Sequence, residues 1–255
     1  MSAVYPRVKA LHFVVEQGGS TDYSDADALS LQEPLFDIQV ENLRACFTMK
    51  AHYATEAEAR EVVDSYIAAW EFEAGLRHGP TAFKLRFDCA DIEDRDPTTR
   101  KVFIQPKAGR IHGKLGPIQL TLGRGHYPPP PREPIAVDPT VQSMFDRYMG
   151  HRSGKEPLPG MAYFCVTVLE AAAGGPRKAA EHYRISQSVL TRIRSLSSTK
   201  GGPGTARKQT GVNAELSQAE RRFLEQAVKA VIRRAAEVAH SPCLPLKNLT
   251  RNDFR

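Results

Sequence analysis

A run of four prolines at positions 128–131, within the segment YPPPPREP (127–134), constrains the fold of this chain more than any other feature. Each proline fixes φ and lacks a backbone N–H, so the run excludes both a helix and a central strand. Strand-like alternation occurs before it, and only helical patterns follow it. We therefore predict an α+β domain over 1–126, a proline-rich linker over 127–137 and a helical domain over 138–255.

The first of these domains is expected to be an antiparallel sheet with one long helix. Thr55 and Glu58 have the spacing of a capping box, which predicts a helix start there, and Gly75 or Gly79 is expected to end the helix. Apolar and polar residues alternate in several short segments. They predict an edge strand at 7–15, a hairpin within 35–53 that turns near Glu41 and Asn42, and strands at 82–87, 102–105 and 117–122.

The second domain is expected to be all-helical. Asp138 followed by Pro139 is typical of a helix start, and Gly174 is expected to stop a buried helix over 158–173. Ser217 and Glu220 form a second capping box, which predicts a helix that runs to about His240.

Positive charge is concentrated in the helical half. The chain has 35 Lys and Arg against 29 Asp and Glu, a net charge of +6. Residues 1–137 contain 16 basic and 19 acidic side chains, whereas residues 138–255 contain 19 and 10. Such a surplus favours an anionic partner, most often nucleic acid, and a solvated basic surface is the alternative.

The chain lacks the sequence motifs of several other classes of protein. The four cysteines lie far apart, and the chain has no HExxH, GxSxG or P-loop motif, so we expect no metal site and no cofactor. The acidic segment DCADIEDRDP contains Asp88, Asp91, Glu93, Asp94 and Asp96, and a solvated loop is favoured over a cation site. The absence of a signal-like N-terminus or a long apolar run predicts a cytoplasmic protein without membrane contact.

The segment 176–195, PRKAAEHYRISQSVLTRIRS, resembles a helix-turn-helix. Its apolar residues recur at the positions that let two short helices pack against each other, and Ser186 is placed to cap the second helix. The resemblance implies a groove-facing surface made of Gln187, Ser188, Thr191, Arg192 and Arg194. Arg184 occupies the turn position where glycine is usual. A pair of bundle helices that contacts no nucleic acid is the alternative.

Two neighbouring regions extend this basic surface. The glycine-rich segment from Thr199 to Gly211 carries Lys200, Arg207 and Lys208, which are suited to contact a phosphate backbone. At 100° per residue, the final helix places a further set of basic residues on the side opposite its apolar stripe. This predicted ridge consists of Arg222, Lys229, Arg233 and His240.

The string RRAAEVAH, residues 233–240, resembles the Arg-x(4-6)-His signature of HEPN ribonucleases. That resemblance implies a dimer whose cleft is lined by Arg233 and His240, with the imidazole assisting attack of a ribose hydroxyl on its neighbouring phosphate.

The leading hypothesis from sequence is a nucleic-acid-binding protein, DNA or RNA, that acts through its helical half. A metal-independent HEPN-like ribonuclease is the second hypothesis, and a non-catalytic protein-interaction scaffold is the third.

Overall fold

The computed structural model describes residues 6–16, 22–80, 82–94, 126–200, 215–242 and 245–254. The chain divides into two compact units: Met1–Ile67 with Thr81–Pro128, and Ala68–Pro80 with Pro129–Arg255. The predicted α+β class is confirmed, with an antiparallel sheet and one long helix first and helices afterwards. The strands predicted at 102–105 and 117–122 lie outside the described residues.

The first unit contains a sheet in which the five described strands are ordered β2-β3-β4-β1-β5. Their bounds are β1 Arg7–Glu16, β2 Leu29–Gln32, β3 Phe36–Glu41, β4 Arg44–Met49 and β5 Lys84–Glu93. The predicted hairpin is confirmed, since β3 and β4 pair around Asn42 and Leu43, whose φ values of 51° and 61° suit a tight hairpin turn.

The prediction that the first strand lies at an edge was wrong. β1 pairs with β4 on one side and with β5 on the other. Alternation shows that one face of a strand is buried, but it does not report how many neighbours the strand has.

The acidic segment after position 87 is a strand rather than the predicted loop, at least as far as Glu93. Basic side chains of β1, its neighbour in the sheet, and of β4, the next strand beyond β1, pair with its carboxylates, which makes a charged strand tolerable. The imidazole of His12 lies 2.8 Å from Asp91, Lys9 lies 3.2 Å from Glu93, and Arg44 lies 3.3 Å from Asp88. Within the described part of the chain, no group of His, Cys, Asp and Glu has the arrangement of a metal site.

Helix α1 spans Glu56–His78 and begins at the predicted capping box. The N–H of Glu58 donates to the Thr55 hydroxyl at 3.3 Å, and the N–H of Thr55 donates to the Glu58 carboxylate at 3.4 Å. Gly79, with φ of 102°, follows the last helical residue. Gly75 lies inside the helix, where a Cβ atom would come within 2.5 Å of the Phe145 ring.

In the described residues, the second unit contains the 3-10 helix Arg251–Phe254, the last part of α1 and five further α-helices. These are α2 Pro139–Arg152, α3 Leu158–Ala173, α4 Pro176–His182, α5 Gln187–Thr199 and α6 Gln218–His240. Three predicted boundaries are confirmed: Asp138 caps α2, Gly174 ends α3 with φ of 77°, and Ser217 and Glu220 form the capping box of α6.

The core of the second unit surrounds α3, which contributes Met161, Ala162, Cys165 and Leu169, and Phe72 and Leu76 of α1 belong to the same core. No single described helix is long and apolar enough to cross a bilayer; α3 and α4 pass that test only when counted together, and they meet at 84°.

Candidate nucleic-acid interface

The segment that resembles a helix-turn-helix contains α4 and α5, joined by residues 183–186. Ala179 of α4 and Val189, Leu190 and Ile193 of α5 are buried in the helical core. The core packing fixes which side of α5 is left for solvent.

The turn between α4 and α5 contains a strained residue that is held by hydrogen bonds. Arg184 has φ of 50°, a left-handed conformation that costs a non-glycine residue roughly 1–2 kcal/mol. Its carbonyl oxygen accepts hydrogen bonds from the N–H of Leu249 at 2.9 Å and from Nη1 of Arg234 at 3.0 Å. The N–H of Ser186 donates to the Leu249 carbonyl at 2.8 Å. These bonds give the turn one defined geometry.

Arg234 is the residue of α6 that supports this turn, a role the sequence reasoning missed. Its side chain is buried, with 6% of the residue exposed. Besides Arg184, Nη1 donates to the carbonyl of Tyr183 at 3.1 Å, and Nε donates to the Glu237 carboxylate at 2.9 Å. These partners offset the cost of burying the positive charge. Arg234 therefore stabilises the fold and is not accessible to a ligand.

The exposed side of α5 presents three of the predicted contact residues. Gln187, Ser188 and Thr191 are exposed, and at 100° per residue they fall within one face of the helix. Ser186 occupies the N-cap position, but its hydroxyl caps no backbone N–H; it lies 3.0 Å from the Ser188 hydroxyl.

Two cations that the sequence reasoning did not select adjoin this face. Arg184 in the turn is exposed. Arg251, also exposed, donates through Nε and Nη2 to the carbonyl oxygen of Ser188, at 3.3 Å for each bond. Neither has a carboxylate partner among the described residues. We call Arg184, Gln187, Ser188, Thr191 and Arg251 the α5 face.

Acidic side chains pair with the other predicted cations near α5 that the structure describes. Glu220 contacts Arg192 at 3.4 Å and Lys200 at 2.7 Å, and Glu170 contacts Arg194. The hydrogen bond from Lys200 is the main cause that lowers the pKa of Glu220 to about 2, so the carboxylate stays charged. Arg192 and Arg194 keep 42% and 43% of their side chains exposed, so a phosphate can still reach them. Arg207 and Lys208 lie outside the described residues.

The predicted ridge on α6 is open to solvent only near its ends. Arg222 and His240 are exposed, but Lys229 and Arg233 are half-buried, because residues 68–80 belong to the same unit as α6. Arg233 contacts Glu73 at 2.6 Å, Glu237 at 3.1 Å and Glu133 at 3.8 Å.

Three arginines and the buried Glu73 lie close to Lys229. Burial is the main cause that lowers its pKa, and the charges of Arg152, Arg77 and Arg233 act in the same direction while Glu73 opposes them. The sequence reasoning missed Arg77 and Arg152, because their proximity to Lys229 depends on the tertiary fold.

The geometry therefore defines a two-unit α+β protein whose helical unit contains a helix pair with a hydrogen-bonded turn and an exposed polar, cationic face. No protein-family model, curated protein or solved structure matches the chain.

Proposed function

We propose that this protein binds nucleic acid through the α5 face. The observation that carries the proposal is the combination of exposure and rigidity in that face: its polar and cationic side chains are accessible, and the hydrogen bonds of Arg184, Arg234 and Leu249 fix the turn before any partner arrives. A surface ordered in advance binds without the entropic cost of ordering itself.

The chemistry of the α5 face suits both parts of a nucleic acid. The amide of Gln187 and the hydroxyls of Ser188 and Thr191 both donate and accept, as base edges require. The guanidinium groups of Arg184 and Arg251 flank them and suit phosphate oxygens, which make most of the hydrogen bonds in such interfaces. Arg192 and Arg194 add further positive charge beside them.

A salt titration tests this proposal directly. We expect the affinity for duplex DNA or single-stranded RNA, measured by fluorescence anisotropy, to fall steeply as the salt concentration rises, because neutralised phosphates release condensed counterions. The double variant Arg184→Ala/Arg251→Ala should bind about 10-fold or more weakly, and its log–log salt slope should fall by about two.

A matched control removes two charges elsewhere. Arg132 and Lys155 are exposed, lie outside the helices and have no acidic partner in the described ranges. The variant Arg132→Ala/Lys155→Ala should keep nearly the wild-type affinity. Equal losses in both double variants would show diffuse attraction rather than a defined face, and a flat salt response of the wild-type protein would refute the proposal.

No specific contact favours the ribonuclease alternative, since Arg233 already pairs with Glu73 and Glu237. Cleavage of RNA that is lost in His240→Ala would favour that alternative over simple binding. The homodimer and the cytoplasmic location stay predictions.

A further inference from the structure

A cavity of about 440 Å³ opens beside the α5 face, within the helical unit. Its lining residues come from α5, from the first turns of α6 and from the 3-10 helix Arg251–Phe254. They are Arg192, Ala219, Glu220, Phe223 and Arg251. The cavity is open to solvent, and its volume lies within the range of small-ligand clefts.

The apolar wall of the cavity is an aromatic ring held in a fixed position. Phe223 packs edge-to-face against Phe254, with ring centroids 5.9 Å apart, and Phe254 is buried. A planar nucleobase can pack against a ring whose orientation is fixed in this way. Such base–aromatic contacts form with any of the bases.

The polar groups of the cavity select an anion. Arg192 and Arg251 bring two guanidinium groups to it. Glu220 is not available to a ligand, because its two oxygens already accept hydrogen bonds from Lys200, at 2.8 and 2.7 Å, and from the N–H of Ser217 at 3.0 Å. The same carboxylate contacts Arg192 at 3.4 Å.

We propose that this cavity binds one unstacked nucleotide, with the base against Phe223 and Ala219 and the phosphate on Arg192 and Arg251. The proposal extends the proposed function, since Arg251 belongs both to the cavity and to the α5 face. A single nucleic-acid strand bound along α5 would place one splayed nucleotide in the cavity. The substrate class is therefore single-stranded nucleic acid or a free nucleotide, and a continuous duplex is excluded from this position, since its bases are stacked.

The test compares three probes on the full-length protein by calorimetry: adenosine 5′-monophosphate, inorganic phosphate and a 5′-phosphorylated single-stranded RNA. We expect the nucleotide or the strand to bind and inorganic phosphate to bind much more weakly. Phe223→Leu should reduce binding of that probe about 10-fold, as expected for the loss of one base–aromatic contact. Tighter binding of the monophosphate identifies a free nucleotide as the ligand, and tighter binding of the strand identifies RNA.

Two further variants keep the test decisive. Arg192→Gln should weaken binding of the same probe without disturbing the core, and circular dichroism monitors the fold of each variant. Phe164→Leu is the matched control, because Phe164 is a partly buried aromatic residue that packs under Arg147, 4.6 Å away, outside the cavity. It should leave binding unchanged.

The two proposals fail in different ways. If the strand binds with a steep salt response but Phe223→Leu and Arg192→Gln both bind as the wild type does, the cavity is not the site and only the proposed function survives. If the salt response of polynucleotides is flat but the monophosphate binds and requires Phe223, the cavity is a free-nucleotide site and the proposed function fails. If none of the three probes binds, the cavity proposal is overturned, and if duplex DNA does not bind either, the proposed function is overturned as well.

Discussion

Nη1 of Arg234 donates a hydrogen bond to the carbonyl oxygen of Arg184 at 3.0 Å, and this bond joins α6 to the turn between α4 and α5. The donor is a buried charge and the acceptor belongs to a residue in a left-handed conformation. Each feature is unfavourable alone, and the bond between them offsets part of both costs. The geometry of the α5 face therefore depends on a side chain of α6.

Removal of this side chain should be strongly destabilising. We expect Arg234→Ala to lower the free energy of unfolding by about 2–3 kcal/mol, because it removes the hydrogen bonds of this guanidinium to the carbonyls of Tyr183 and Arg184 and one of the two cationic partners of Glu237. Arg222→Ala, at an exposed position on the same helix, should change it by less than about 0.5 kcal/mol. Urea denaturation measures both, and equal midpoints would contradict the structural role of Arg234.

Two substitutions at Arg184 separate backbone strain from charge. Glycine adopts φ of 50° without a steric penalty, whereas alanine does not. We therefore expect Arg184→Gly to be more stable than Arg184→Ala by about 1 kcal/mol, while both lose the same affinity for nucleic acid, since both lack the guanidinium. An affinity that follows stability instead would show that the turn geometry, and not the charge, governs binding.

Glu220 is expected to compete with phosphate for the cations of α5. Its replacement by glutamine removes the negative charge beside Arg192 and Lys200. We expect Glu220→Gln to bind single-stranded RNA about 3- to 10-fold more tightly, with a salt slope that is steeper by about one. A weaker affinity would mean that the carboxylate is needed to position Arg192.

The same carboxylate predicts a pH dependence of stability. The pKa of Glu220 is about 2 in the folded protein against an ordinary value of 4.5. A carboxyl group whose pKa is lowered by folding stabilises the protein at any pH above its pKa in the unfolded chain. That stabilisation disappears as the pH falls toward the pKa in the folded protein. The difference in thermal midpoint between wild type and Glu220→Gln should thus be constant above about pH 5 and shrink between pH 4.5 and 2. A difference that does not vary with pH would contradict the ion pairs of Glu220.

The sequence predicts features that depend on neighbouring residues. The helix boundaries are set by residues no more than three or four positions apart in the chain, so a single sequence is sufficient to locate them. They include the caps at Thr55, Asp138 and Ser217 and the helix end at Gly174. The strand pattern likewise located most of β1, β3 and β4.

Features that depend on distant contacts were not predictable. The sequence does not show that β1 pairs on both sides, or that residues 68–80 belong to the helical unit. The adjacent residues Arg233 and Arg234 differ by 100° around α6, and only the fold shows that one is buried beneath a turn while the other pairs with Glu73. Arg251 reaches the α5 face from a position 63 residues after Ser188.

The parallel bridge between Ile185 and Leu249 has a consequence for biosynthesis. During translation α4 and α5 leave the ribosome well before residue 249, so the nascent chain contains both helices while the hydrogen bonds that fix their turn are still missing. The α5 face is completed only when Leu249 and Arg251 emerge, and a ribosome stalled before them would display the helix pair without its final geometry.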